Sequence, residues 1–149
     1  MNKKISVIDL FAGPGGLGEG FSQFQSGKTF GPSVSIEMDK VACDTLRLRK
    51  LFRSLKSNDK KKYYELVKSD ENVTWESARE TFKNYAEYID DSVWNHELGS
   101  DQHDEKTTND EIRRRLDKLG HTKDKPLVII GGPPCQAYSL IGRASRKQM

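Results

Sequence analysis

Apolar residues in this chain fall into short runs and helical stripes. Ile5 to Leu10 is rich in β-branched residues and stops at a glycine and proline cluster, which predicts a buried strand. Leu17, Phe21 and Phe24 follow at i, i+4, i+7, the stripe of an amphipathic helix. Gly27 and the pair Gly31-Pro32 are expected to end that helix. Val34 to Met38 predicts a second strand, and Asp39 suits the N-cap of the next helix. In that helix Val41, Leu48, Phe52 and Leu55 share a face, with Thr45 interrupting the stripe. Strand, helix, strand, helix in this order predicts an α/β fold with a parallel sheet.

The pattern then changes. Residues 47 to 62 hold eight Lys/Arg and one acid, Asp59, whereas residues 63 to 111 hold fourteen Asp/Glu against four Lys/Arg. Within the acidic part Trp75, Ala78, Phe82, Tyr85 and Ile89 recur every three or four residues, which predicts one helix. Gly99 to Lys106 lacks periodicity and is expected to be a loop. Thr108 with Glu111 has the form of a capping box, ahead of a stripe made by Ile112, Leu116 and Leu119 and closed by Gly120. Leu127 to Ile130 predicts the next strand, which leads through Gly131 and Gly132 into Pro133-Pro134-Cys135-Gln136. Two consecutive prolines fix two φ angles and remove two backbone donors, so this loop would present the Cys135 thiol stiffly.

Composition narrows the function classes. The chain has 149 residues, 34% of them hydrophobic and 32% charged, and a net charge of +3. That suits one domain with a solvated part, and the charge alone does not argue for nucleic acid. Cys43 and Cys135 are the two cysteines, without metal-type spacing or a disulfide framework, so a reduced, cytosolic compartment is expected. Cys43 reads as a small core hydrophobe. His96, His103 and His121 read as surface histidines without ligand-like partners, and no metal site is expected. The apolar start is too short for a signal peptide, and nothing approaches a membrane span.

Phe11-Ala12-Gly13-Pro14-Gly15-Gly16-Leu17-Gly18 joins the first strand to the first helix. Gly13, Gly15 and Gly18 satisfy the G-x-G-x-x-G pattern, and Glu37 ends the second strand. In this layout glycines let a ligand approach the backbone, and the acid takes a ribose hydroxyl pair. Gly27-Lys28-Thr29 also contains the end of a P-loop pattern, but Ser22 stands where its first glycine belongs, so a helix C-terminus is the expected reading.

Together the segments Asp9-Leu10-Phe11-Ala12-Gly13-Pro14-Gly15-Gly16, Glu37-Met38-Asp39 and Gly131-Gly132-Pro133-Pro134-Cys135-Gln136-Ala137-Tyr138-Ser139 resemble the cytosine-C5 methyltransferases, especially the bacterial DNA enzymes. The resemblance implies a Rossmann-like fold that binds S-adenosylmethionine. Phe11 would lie by the adenine, the Gly13 to Gly16 backbone (Gly13, Gly15 and Gly16 among them) along the methionine end, and Met38 against the adenine, with Ala12 also cofactor-binding. Glu37 would hold the ribose hydroxyls, and Pro134 would border the cofactor. Cys135 would be the nucleophile, adding to C6 of a cytosine flipped out of double-stranded DNA so that C5 can take a methyl group. Gln136, Ser139 and Arg143 would sit near that nucleotide, with Arg143, Arg146 and Lys147 suited to its phosphates or to a solvated basic tail.

Residues 1–149 thus read as the N-terminal part of a methyltransferase catalytic domain, with an incomplete parallel sheet and a charged, mostly helical insert at about 56–108. A bacterial, cytoplasmic restriction-modification enzyme is the expected setting. The family's Glu-Asn-Val acid, downstream arginine motif and recognition region have no match here, so the chain alone is expected to be inactive. Asp101 is the candidate for the family's adenine-contacting acid. An RNA cytosine methyltransferase, a nicotinamide-dependent oxidoreductase and one subunit of a split enzyme are the alternatives.

Overall fold

The computed structural model describes residues 4–69, 72–99 and 104–133. Within them four strands form one sheet, β1 (Ile5–Leu10), β2 (Phe30–Glu37), β3 (Val93–Asn95) and β4 (Leu127–Gly131), in the order β3-β2-β1-β4 and all parallel. Helix α1 (Gly16–Gln23) joins β1 to β2. Helices α2 (Lys40–Ser54), α3 (Ser57–Ser69), α4 (Trp75–Thr81) and α5 (Lys83–Ser92) lie between β2 and β3, and α6 (Glu105–Lys118) precedes β4.

Alternation along the strands sorts the side chains onto two faces. Ile8, Val34 and Ile36 pack with Leu116 and Leu119 of α6. That outcome matches the stripe expected at Ile112, Leu116 and Leu119. Val7, Asp9, Ser33 and Ser35 face the other way, towards α1 and α2, where they line a cavity of about 500 Å³. Fewer bulky side chains fill that face, which is why the cavity exists.

Several boundaries differ from expectation for identifiable reasons. Strand β2 starts at Phe30, so Gly31-Pro32 lie inside a strand and do not terminate the helix before it. The pairing shifts from Ile5↔Phe30 to Val7↔Ser33, which puts one extra β2 residue at that place. A bulge accommodates a proline because its missing N–H breaks no ladder bond. Helix α1 ends at Gln23, and the chain then turns through left-handed Gln25 (φ 49) and Ser26 (φ 57). The Gly27-Lys28-Thr29 triplet belongs to that turn, where Lys4 Nζ donates to Gly27 O at 2.8 Å. The expected α1 stripe is poorly covered, with Leu17 46% and Phe24 52% exposed.

Asp39 caps α2 as expected, accepting from the Ala42 N–H at 2.7 Å. The buried face of α2 is Cys43, Leu46 and Leu51, however, and Val41 is 75% exposed. Leu48, Phe52 and Leu55 of the expected stripe lie on the side of α2 that meets the inserted helices. Leu51 and Leu55 join Trp75, Ala78, Phe82, Ala86 and Ile89 in a separate cluster, with Leu48 and Tyr63 packed against it. The single helix expected from Trp75 to Ile89 is broken at Phe82 (φ -117, ψ 45), whose buried ring anchors the turn between α4 and α5. Helix α6 starts earlier than expected: Asp104 caps it by accepting from Thr107 N–H at 2.9 Å, so Thr108 is not the cap. Glu111 instead binds Arg114 and Arg115, each at 2.7 Å, and its hydrogen bonds from Arg114 pull its carboxyl down to about 2. Arg115 also donates to Asp90 O at 2.8 Å and lies 5.4 Å over the Trp94 ring, tying α6 to the end of α5 and to β3.

Candidate functional site

In an open parallel sheet, ligands bind beyond the carboxyl ends of the strands, where the strand order reverses. Here that point lies between β1 and β4, because β2 and β3 extend the sheet to one side of β1 and β4 to the other.

The loop leaving β1 is built from left-handed residues: Phe11 (φ 55), Gly13 (φ 54) and Gly15 (φ 92). A side chain at Gly15 is disfavoured by that φ, and its Cβ would stand 2.6 Å from Leu46 Cδ2, so the Leu46 side chain would have to shift. Gly13 shares the left-handed φ, but a Cβ there or at Gly16 would meet nothing within 4 Å. Their bareness serves open space in front of the loop. The Ala12 N–H donates to Ile36 O at 3.1 Å, and Ala12 packs with Cys43, Leu46 and Val93. Cys43 is fully buried there, its Sγ 3.3 Å from Glu37 O, with its thiol pushed up by burial. It is the packing residue that its context suggested.

Glu37 stands across the loop. Its Oε2 accepts from the Gly13 N–H and its Oε1 from the Asp39 N–H, both at 2.8 Å. One carboxylate thus holds the glycine loop and the entry to α2 together. Each of these carboxylate oxygens can accept a further hydrogen bond. Phe11 (37% exposed), in the glycine loop, and Met38 (66% exposed), next to Glu37 in the chain, present apolar surface.

The end of β3 completes the rim, and no periodic pattern announced it. Asn95 Nδ2 donates to Glu37 O at 3.0 Å and Met38 O at 2.8 Å, and the His96 N–H donates to Glu37 O at 2.9 Å. A three-residue strand is too short for its alternation to register. His96 stacks on Trp94 at 3.9 Å, and His121 Nδ1 lies 2.9 Å from Ser6 Oγ. Neither is a bare surface histidine, which corrects that expectation. His103 and Asp101 lie outside the described residues.

At the end of β4 the Gly132 N–H donates to Leu10 O at 3.3 Å. A Cβ on Gly131 would sit 2.8 Å from that same oxygen, so glycine is what lets the two strand ends approach. The chain therefore reaches Pro133 beside the glycine loop. Pro134, Cys135, Gln136, Ser139 and Arg143 lie outside the described residues. Among the described residues, no cluster of three or more His, Cys, Asp and Glu could hold a metal ion, and no helix is long and apolar enough to cross a membrane.

Comparison with known proteins bears on the same segments. Residues 5–74 match the family model for C-5 cytosine-specific DNA methylase. A type II methyltransferase of Bacillus paralicheniformis is 34% identical over 95% of this chain and 33% of its own length. A predicted type II methyltransferase of Oceanobacillus iheyensis is 27% identical over 99% of this chain and 22% of its own length. The chain spans a third or less of each of these relatives. No solved structure matches it significantly. The segment that matches this family covers the glycine loop and Glu37, both at strand ends of the parallel Rossmann-like sheet.

Proposed function

We propose that this chain is the cofactor-binding and nucleophile-bearing part of a DNA cytosine-C5 methyltransferase. The observation that carries the reading is the convergence, at the carboxyl ends of β1, β2 and β4, of an open glycine loop, the Glu37 carboxylate and the β4 exit that leads to Cys135. S-adenosylmethionine fits the donor set. Open space before Gly13 and Gly16 suits its methionine end, Glu37 its ribose hydroxyls, and Phe11 and Met38 its adenine. Ala12 and Gly15 set the loop's path, and Pro134 would border the cofactor. When bound, the cofactor supplies a methyl group on a sulfonium sulfur.

The chain's own chemistry belongs to Cys135. Its thiolate forms a bond to C6 of the flipped cytosine, which makes C5 nucleophilic. Once C5 has been methylated and has lost its proton, the sulfur–C6 bond breaks and the thiolate departs. Gln136, Ser139 and Arg143 would hold the extruded nucleotide and its phosphates. Asn95, which donates to Met38 O, and its neighbour His96 would border the adenine.

Calorimetry decides the cofactor. S-adenosylhomocysteine should bind the chain while NAD gives no heat; the reverse would overturn the assignment. For the nucleophile, a 5-fluorocytosine oligonucleotide with S-adenosylmethionine should trap a covalent adduct on an enzyme of the relatives' length that carries this chain. An adduct that survives Cys135→Ala would remove the proposed role of the thiol.

A further inference from the structure

Glu37 holds the glycine loop from the front, and a second carboxylate lies behind it. Asp9 sits on β1 facing α1 and α2, 1% exposed. Among the described residues neither of its oxygens has a hydrogen bond of good geometry. It lines the cavity of about 500 Å³, so it is not sealed in by packing. Directly above it is the first turn of α1, where a Cβ on Gly18 would stand 2.7 Å from Asp9 Oδ2. That turn has no side-chain cap, because Gly15 occupies the N-cap position. Helix N-termini carry unpaired N–H groups and partial positive charge, which an anion satisfies.

The cavity around Asp9 is also lined by Lys4, Glu19, Arg49, Lys50 and Arg53, and of these Lys50 acts on the Asp9 carboxylate through its charge without a hydrogen bond to it. Lys50 reaches in from α2, but its ammonium donates to Ser33 O, Ser33 Oγ and Ser92 O at 2.9–3.0 Å. Glu19, on α1 itself, is paired with Arg53 of α2. Glu37 is bound to Gly13 on the opposite side of the loop. From β2 the in-register neighbour is Ser35, from β4 it is Ile130, and α5 contributes Tyr88 to the cavity wall.

We propose that Asp9 is the positioning residue of the glycine loop: its carboxylate replaces the missing cap at the first turn of α1 and so sets the Gly13–Gly16 backbone that faces the cofactor. The cofactor part of this inference rests on the reading under Proposed function. Gly18 then has a purpose distinct from that of Gly13 and Gly16. It is bare to admit the Asp9 carboxylate, whereas they are bare towards the ligand.

Two measurements on the chain test this separately from the activity. In an NMR pH titration, the Gly18 amide resonance should follow one carboxylate titration that Asp9→Asn abolishes and Glu19→Gln leaves in place. Persistence of that titration in Asp9→Asn overturns the proposal. In calorimetry, Asp9→Ala should weaken S-adenosylhomocysteine binding about tenfold, the scale of a lost charged hydrogen bond. Asp9→Asn, which keeps an acceptor oxygen, should recover part of the affinity and lose its fall at acidic pH. Wild-type affinity in a folded Asp9→Ala chain also overturns it. If Asp9→Ala does not fold, the Asn variant's Gly18 titration and pH profile decide. A wild-type chain that binds no S-adenosylhomocysteine refutes the functional reading instead, while the Gly18 titration still judges the contact between Asp9 and α1.

Discussion

Each oxygen of Glu37 is engaged by a backbone N–H, from Gly13 and from Asp39, and both bonds lie at the rim of the proposed cofactor site. Glu37→Gln keeps one acceptor and Glu37→Ala keeps none. Calorimetry should show both weakening S-adenosylhomocysteine binding by about tenfold or more, the alanine variant further. The alanine variant should also lose about 1 kcal/mol of unfolding free energy, since its two N–H groups are accessible to water. Lys50 offers a second measurement. Burial pulls its ammonium down to about 7, with the Asp9 carboxylate opposing. Between that pH and the ordinary lysine range the unfolded chain holds a proton that the folded chain has released. Stability should therefore rise with pH from about 7 to 9.5. Urea unfolding of Lys50→Met should show no such rise. Asp9 has the opposite sign: burial raises its carboxyl against the smaller lowering pull of Lys50 and the Gly18 N–H, so folding favours the protonated form and stability falls as pH climbs through its titration, by less than burial alone would give. At this scale Glu37, Gly13, Gly15 and Cys43 were legible because type and spacing set their backbone or packing role. The bond from Glu37 to Gly13 and the place of Asp9 under α1 were not, since both depend on which strands become neighbours.

Among the elements, the inserted helices hold a core of their own against the far end of α2. Ile89 is fully buried in it, and Trp75 Nε1 donates to Asp90 Oδ1 at 2.7 Å. Ile89→Ala should cost about 2–5 kcal/mol in urea unfolding, as large-to-small changes in cores do. Its effect on S-adenosylhomocysteine affinity at low temperature should be small, because the cluster is separate from the glycine loop. A large loss of affinity with stability unchanged would tie the insert to the cofactor. The stripe from Trp75 to Ile89 revealed the apolar face correctly but could not reveal the break at Phe82. Periodicity records which residues face a core and is nearly blind to a turn whose pivot is itself buried. Strand β3 escaped for another reason: its three residues pair with Ser35 to Glu37 of β2 and have little local pattern of their own.

For the whole molecule, β4 is the edge of the described sheet, with Leu127 40% and Ile129 64% exposed. The chain also spans a third or less of the relatives it matches. The purified 149-residue chain should therefore bind S-adenosylhomocysteine but transfer no methyl group to DNA. Radiolabelled methyl incorporation into duplex DNA above a no-protein control would refute this. The sequence by itself determined the order of strands and helices around the glycine loop and the acid ending β2. Glycines, prolines and short apolar runs act on the few residues around them, so those features can be read in one dimension. Only the tertiary structure decided that Gly132 meets Leu10, that Asn95 and His96 join the rim, and that Asp9 lies beneath Gly18. Those contacts come from pairing between strands far apart in the chain, and no local propensity encodes a partner at that distance.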